Sequence, residues 1–139
     1  MVILSLLRGQ SRVNVRQYWK QARENGTGFI AFSPLAQGLL TNRYLNGIPE
    51  DSRIAKGGFL KKEALTKEVL NRIKALNEVA AQRGQTLAEM ALAWVLKDEM
   101  VTSVIIGASS VTQLADNLKA IENTKFTAEE LETIQRILD

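Results

Sequence analysis

Histidine and cysteine are both absent from the 139 residues. Those two side chains supply most ligands for zinc, copper, haem and iron–sulfur clusters, and histidine supplies most general bases near neutral pH. Such centres are excluded within this chain, as are a Ser-His-Asp or Cys-His triad, a disulfide framework and a thiol switch. Chemistry based on Lys, Asp, Glu or Tyr stays open. Aromatic residues are scarce, at 6%, and there are only two prolines, one of which, Pro34, stops an apolar run. No apolar stretch approaches the roughly 18 to 20 residues of a membrane span. The opening run, residues 2–7, is too short for a signal peptide and lacks the preceding positive region. A soluble, cytoplasmic chain is the expectation.

What is present is the composition of an ordinary globular domain with one core, 45% hydrophobic and 24% charged. The net charge of +3 is unevenly placed. Residues 1–26 hold Arg8, Arg12, Arg16, Lys20 and Arg23 against the single acid Glu24, whereas the remainder has 13 basic and 14 acidic residues. The basic character belongs to an N-terminal arm, residues 1–24, set apart from residues 25–139. The arm reads as a short apolar strand or helix start at residues 2–7, then a helix near residues 14–24 that ends at Gly26. Arg8, Arg12, Arg16 and Lys20 recur every four residues beside Tyr18 and Trp19. That spacing makes either a solvated charge stripe or a basic surface, and the solvated stripe is the simpler reading, so nucleic acid is not an expected partner.

Residues 28–32 form an apolar run halted by Ser33 and Pro34, which suits a buried parallel strand better than a helix. A long loop follows to about residue 60, with turn residues at Asn46-Gly47, residues 49–52 and Gly57-Gly58; loops of this length are usually functional or disordered. Between residues 62 and 83, Leu65, Val69, Ile73, Leu76 and Ala80 recur at helical spacing, and Gly84 supplies the left-handed residue after the helix end. Thr86 and Glu89 form a capping box that opens an apolar helix through Met90, Ala91, Trp94 and Val95. Residues 101–106 read as a second β-branched strand, followed by a glycine turn at residues 107–109. Ser110 with Gln113 reads as another capping box for a helix over residues 111–121, with Leu114, Leu118 and Ile121 as its apolar stripe. Thr127 with Glu130, stapled by Phe126 and Leu131, opens the last helix, which buries Ile134 and Leu138.

This is βαβα logic with two parallel strands as neighbours. Two parallel strands cannot bury both faces of a sheet, so the pattern is that of a piece of a larger α/β structure. Ligands of parallel sheets bind beyond the C-terminal ends of the strands. The turn after the second strand lets the backbone approach a ligand, and the free amides that follow attract phosphate; the same residues also suit an ordinary capped helix start. Ser109 offers a hydroxyl. Gln113, Asp116 and Asn117 lie at i, i+3 and i+4, a spacing that puts them on one face able to read a base edge, or simply on a polar surface. On the first loop, Ser33, Leu35 and Gln37 precede Arg43, whose guanidinium fork suits a pyrophosphate or, taken singly, an exposed surface. Neither GxGxxG nor GxxxxGK[ST] occurs.

The stretches FIAFSPLAQGLLTNRYL (residues 29–45) and VIIGASSVTQLADNL (residues 104–118), with ALAWVL at residues 91–96, resemble the aldo-keto reductase superfamily. Within it they are most similar to the bacterial glyceraldehyde 3-phosphate reductase branch and its relatives, the potassium-channel β subunits. The resemblance covers residues 25–139 and implies the C-terminal part of a (β/α)₈ barrel, with residues 28–32 as the seventh strand and residues 101–106 as the eighth. It implies reduction of a small carbonyl substrate with NADPH. Ser33, Leu35, Gln37 and Arg43 match positions at the nicotinamide and pyrophosphate. Ser109 and Gln113 match positions near the adenosine 2′-phosphate, and Asn117 with Asp116 matches the adenine contact.

Two departures accompany the resemblance. Some relatives carry Lys or Arg in the loop after strand eight, where this chain has Ser109, Ser110 and Gln113. The family's catalytic Asp, Tyr, Lys and His lie on earlier strands, upstream of everything that matches, so no catalytic residue is assigned here and Tyr18 is not taken as the proton donor. Residues 1–24 do not resemble the corresponding family segment and read as the product of a truncated or frame-shifted reading frame. The expectation is a cofactor-binding portion that is inactive alone. The rival is a non-enzymatic interaction or regulatory module whose incomplete sheet favours self-association into a homo-oligomer.

Overall fold

The computed structural model describes residues 21–52, 54–57, 60 and 62–139. The proposed strand or helix start at residues 2–7, the stripe of Arg8, Arg12, Arg16 and Lys20, and Tyr18 and Trp19 lie outside the described residues. Residues 21–24 are helical, and the chain turns out of the helix at Gly26, whose φ of 63° is open to a residue without a Cβ. The Thr27 N–H donates to the Ala22 carbonyl at 2.8 Å and closes that end.

Strands β1 (Phe29–Phe32) and β2 (Val101–Ile105) form a two-stranded parallel sheet. Phe29 pairs with Val101 and Ile30 with Ser103, so Thr102 is skipped by a register irregularity. Its side chain lies over Gly28, where a methyl group would stand 1.9 Å from Thr102 Oγ1. Glycine at position 28 is what lets the strands approach. Phe32 pairs with Ile105, so the two following loops leave the same edge of the sheet.

Helix α1 (Lys67–Gln82) starts later than the periodicity suggests. Thr66 accepts from the Val69 N–H at 3.2 Å and caps it, while Lys62–Ala64 forms a separate 3₁₀ turn. Its C-terminus closes as expected at Gly84, with Gln85 N–H donating to the Ala80 carbonyl and Gly84 N–H to that of Ala81, at 2.9 and 3.0 Å. Helix α2 (Leu87–Leu96) carries the expected capping box of Thr86 and Glu89 and is buried along Met90, Ala91, Leu92 and Ala93. Helix α3 (Val111–Leu118) is shorter than the expected span and passes into a 3₁₀ turn at Lys119–Glu122. Helix α4 (Ala128–Leu138) has the full capping box of Thr127 and Glu130 and buries Ile134 and Leu138.

The long segment after β1 is not a peripheral loop. Leu39, Leu40, Tyr44, Ile54 and Leu60 are buried and join the cluster built from α1, α2 and α4. No periodicity announces this because the anchors sit in short 3₁₀ turns, Ala36–Gly38 and Asn42–Tyr44. An apolar cavity of about 20 Å³ lies between Leu40, Leu76, Met90, Trp94 and Leu138. It has room for little more than one water and no polar lining, so it is no candidate for a cofactor.

Helix α2 packs against β2, and α1 packs against both α2 and α4. On the strands, Ile30, Phe32 and Ile105 are exposed, and so are Val111, Leu114, Leu118 and Ile121 on α3 and the turn after it. The apolar stripe expected along α3 is thus present but has no core beneath it. All exposed large hydrophobic residues among those described lie on β1, β2 and this helical segment.

Candidate functional site

The expected ligand residues divide into two clusters, one on each loop beyond the strand ends. In the first, the chain leaves β1 through strained backbone. Ser33, Ala36 and Gln37 adopt φ values of 53°, 50° and 60°, left-handed conformations that cost a non-glycine residue roughly 1 kcal/mol or more each. Buried Ala36, Leu39 and Leu40 anchor the segment, and Thr41 Oγ1 donates to the Gly38 carbonyl at 2.7 Å. Ser33 is left exposed, and Leu35 and Gln37 half-buried. Strain held by packing is common where a backbone is preorganised for a ligand. Composition gives no warning of it, since none of the three is Gly or Asn.

Arg43 stands on the Asn42–Tyr44 turn, and its Nη2 donates to Asp51 Oδ2 in an exposed ion pair. The guanidinium holds the Asp51 carboxyl below its ordinary value. Sequence reading missed Asp51, because an acid eight residues away in an irregular segment follows no helical or strand spacing.

In the second cluster, Ser110 Oγ accepts from the Gln113 N–H at 3.1 Å, which caps α3. The expected capping box is only half formed. Gln113 Oε1 does not reach the Ser110 backbone; it accepts from the Ser109 N–H at 2.6 Å and from Ser109 Oγ at 3.0 Å. This folds the turn into a compact unit in front of the helix, where the Val111 and Thr112 amides have no intrahelical acceptor. Asp116 pairs with Lys119 at 2.8 Å, which raises the lysine pKa. Gln113, Asp116 and Asn117 therefore do not share one open polar face: the first bends back to Ser109, the second forward to Lys119, and the third is buried.

Asn117 is the unusual member. It is 5% exposed and the only buried residue of α3, and its Nδ2 has no hydrogen-bond partner. A buried amide donor without an acceptor costs roughly 1–3 kcal/mol. The helix thus buries its asparagine while exposing Leu114 and Leu118, the reverse of what folding alone favours. An adenine edge carries acceptor nitrogens beside a donor amino group, which a carboxamide can meet with two bonds. The residues present fit a nucleotide: hydroxyls and helix-start amides for a phosphate, a guanidinium on the neighbouring loop, and an unpartnered amide that a base can meet once the buried Asn117 side chain turns outward. Among the described residues no hydrogen bond or ion pair joins the two clusters, and no group of acids is placed to hold a metal ion. No helix among them is long and apolar enough to cross a membrane.

Comparison with known proteins gives a family model described as the aldo/keto reductase family, matching residues 2–139, so the match runs through the N-terminal arm as well. L-glyceraldehyde 3-phosphate reductase of Escherichia coli O157:H7 is 55% identical over 122 residues, which are 84% of this chain and 35% of that protein. The protein of the same description from strain K12 is 53% identical with the same coverage. A putative voltage-gated potassium channel subunit beta of Schizosaccharomyces pombe is 38% identical over 121 residues, 82% of this chain and 35% of that protein. The chain spans about a third of the length of these relatives.

Proposed function

Because the chain belongs to the aldo/keto reductase family, we propose that it forms the dinucleotide-holding part of an NADPH-dependent carbonyl reductase. The observation that carries this reading is the buried, unpartnered amide of Asn117 about two helical turns behind the Ser109–Ser110 turn. In the reading, Asn117 meets the adenine, with Asp116 at its edge. Ser109, Ser110 and the first amides of α3 hold the 2′-phosphate, with Gln113 fixing Ser109 in place. Arg43 neutralises the pyrophosphate, and Ser33, Leu35 and Gln37 line the nicotinamide side, the half-buried leucine excluding water. Bound NADPH supplies a hydride to the carbonyl carbon of a small aldehyde or ketone.

The same reading makes β1 and β2 the last two strands of a (β/α)₈ barrel. The exposed Ile30, Phe32 and Ile105, and the stripe on α3, are then the surface that the other strands and helices cover. Each such side chain contributes roughly 1 kcal/mol or more when taken out of water. Proton transfer falls to residues outside the two clusters, so the 139-residue chain alone binds cofactor without turning over. The exposed apolar face also favours a second reading, a non-enzymatic module that docks on another chain; a compact monomer in solution argues against it.

A fluorescence titration of the purified chain with NADPH and with NADH tests the main reading. Saturable NADPH binding about tenfold tighter than NADH is expected, the worth of one charge-assisted bond to the extra phosphate. Equal affinities would remove the 2′-phosphate role of Ser109 and Ser110, and sustained aldehyde reduction by the chain alone would overturn the division of labour.

A further inference from the structure

The segment that presents Arg43 also presents its competitor. The main chain at Arg43 is held by Thr41 Oγ1, which accepts its N–H at 3.2 Å, and by the next residue, Tyr44, which is buried. Asp51 precedes Ser52, also buried, whose N–H donates to the Pro49 carbonyl at 3.0 Å and whose Oγ accepts from the Ala55 N–H at 3.2 Å. Each charged residue is thus tied to the core through its neighbour. Their side chains remain 42% and 73% exposed and meet each other across the segment. Asp51 is ionised at neutral pH, since the guanidinium holds it below its usual 3.8.

A guanidinium fork presents the same donors to a carboxylate and to phosphate oxygens. We propose that Asp51 sets cofactor affinity by competing for Arg43: its carboxylate holds the guanidinium in the free chain and gives it up to the cofactor pyrophosphate on binding. The inference rests on the reading of Arg43 as the pyrophosphate contact. An exposed pair of this kind is weak and screened by salt, so the exchange reduces affinity without blocking binding. The carboxylate, already largely hydrated, returns to water with little further desolvation to settle.

The test is an NADPH fluorescence titration of four forms of the full chain: wild type, Asp51→Asn, Arg43→Gln and the double variant. Asp51→Asn keeps the shape and removes the charge, and is expected to tighten binding about two- to fivefold. Arg43→Gln is expected to weaken binding, and the double variant to match Arg43→Gln with no gain from Asp51→Asn. If Arg43→Gln weakens binding while Asp51→Asn leaves it unchanged or weaker, competition is overturned and the reading of Arg43 stands. A gain from Asp51→Asn that persists in the Arg43→Gln background is a general charge effect and also overturns it. If Arg43→Gln binds like wild type, the reading of Arg43 falls and the inference falls with it.

Discussion

Arg83→Ala is expected to lower the unfolding free energy by roughly 3 kcal/mol, a large share of the stability of a small domain. The side chain is 2% exposed and leaves the C-terminal end of α1. Its Nη1 pairs with Glu130 Oε2 at 2.6 Å, its Nη2 donates to the Asn123 and Lys125 carbonyls at 3.2 and 3.0 Å, and its Nε donates to Gln85 Oε1 at 2.9 Å. The guanidinium also lies 3.7 Å from the centroid of the Phe126 ring. One side chain thus ties the α1–α2 junction to the segment that enters α4. Truncation removes the charged partner of Glu130, which keeps only the Thr127 N–H, and takes the Arg83 donors from the Lys125 carbonyl and from Gln85 Oε1, while the Asn123 carbonyl retains Gln85 Nε2; the cost of the carboxylate left without its cation adds to that of the lost bonds. Arg83→Lys keeps the charge but not the fork, so it is expected to fall between the two in urea unfolding.

The loss has a pH signature. Burial alone would raise the Glu130 pKa, but the Thr127 N–H and the Arg83 guanidinium outweigh it and hold the carboxyl below 4.5. A carboxylate depressed in the folded state stabilises above its unfolded pKa, and that stabilisation is lost as pH falls through the folded value. The difference between wild type and Arg83→Ala is therefore expected to be full at neutral pH and to shrink in acid below 4.5. A constant difference down to pH values well below that would assign the effect to packing on Phe126 instead.

Asn117→Leu is expected to act in opposite directions on stability and on binding. Removing an unsatisfied buried amide and filling a similar volume with apolar atoms relieves roughly 1 kcal/mol or more, so thermal unfolding moves up. On the proposed reading the same change removes the group that meets the adenine, and NADPH affinity is expected to fall tenfold or more. A stabilising loss-of-binding substitution is the mark of a residue kept at the expense of the fold. Asn117→Leu that destabilises the chain and leaves NADPH affinity intact would make Asn117 a structural residue.

Local chemistry was the most legible part of the sequence. The capping boxes at Thr86–Glu89 and Thr127–Glu130 need only residues three apart, and both form. The Ser110–Gln113 pair has the same spacing, yet Gln113 is diverted because the Ser109 amide and hydroxyl offer it two donors at once. The α1 stripe was readable because Val69, Ile73, Leu76 and Ala80 repeat at the helical period and are all buried. Leu39, Leu40 and Tyr44 are equally buried, but they sit in turns too short to have a period. Of the candidate site, the glycine turn and Arg43 could be named from residue type. The left-handed backbone at Ser33, Ala36 and Gln37 and the Arg43–Asp51 pair could not, since both arise from how the core pins an irregular segment. The α3 stripe was read correctly as apolar, and among the described residues it is exposed together with Ile30, Phe32 and Ile105 of the strands.

The most direct test of the proposed dinucleotide site is an amide NMR titration of the ¹⁵N-labelled chain with NADPH. Saturable shifts are expected at Gly107, Ser109, Ser110, Val111 and Thr112, at Arg43 and its neighbours, and at the Asn117 side-chain amide. Shifts that are absent at saturating NADPH, or confined to residues of α1 and α4, would contradict it.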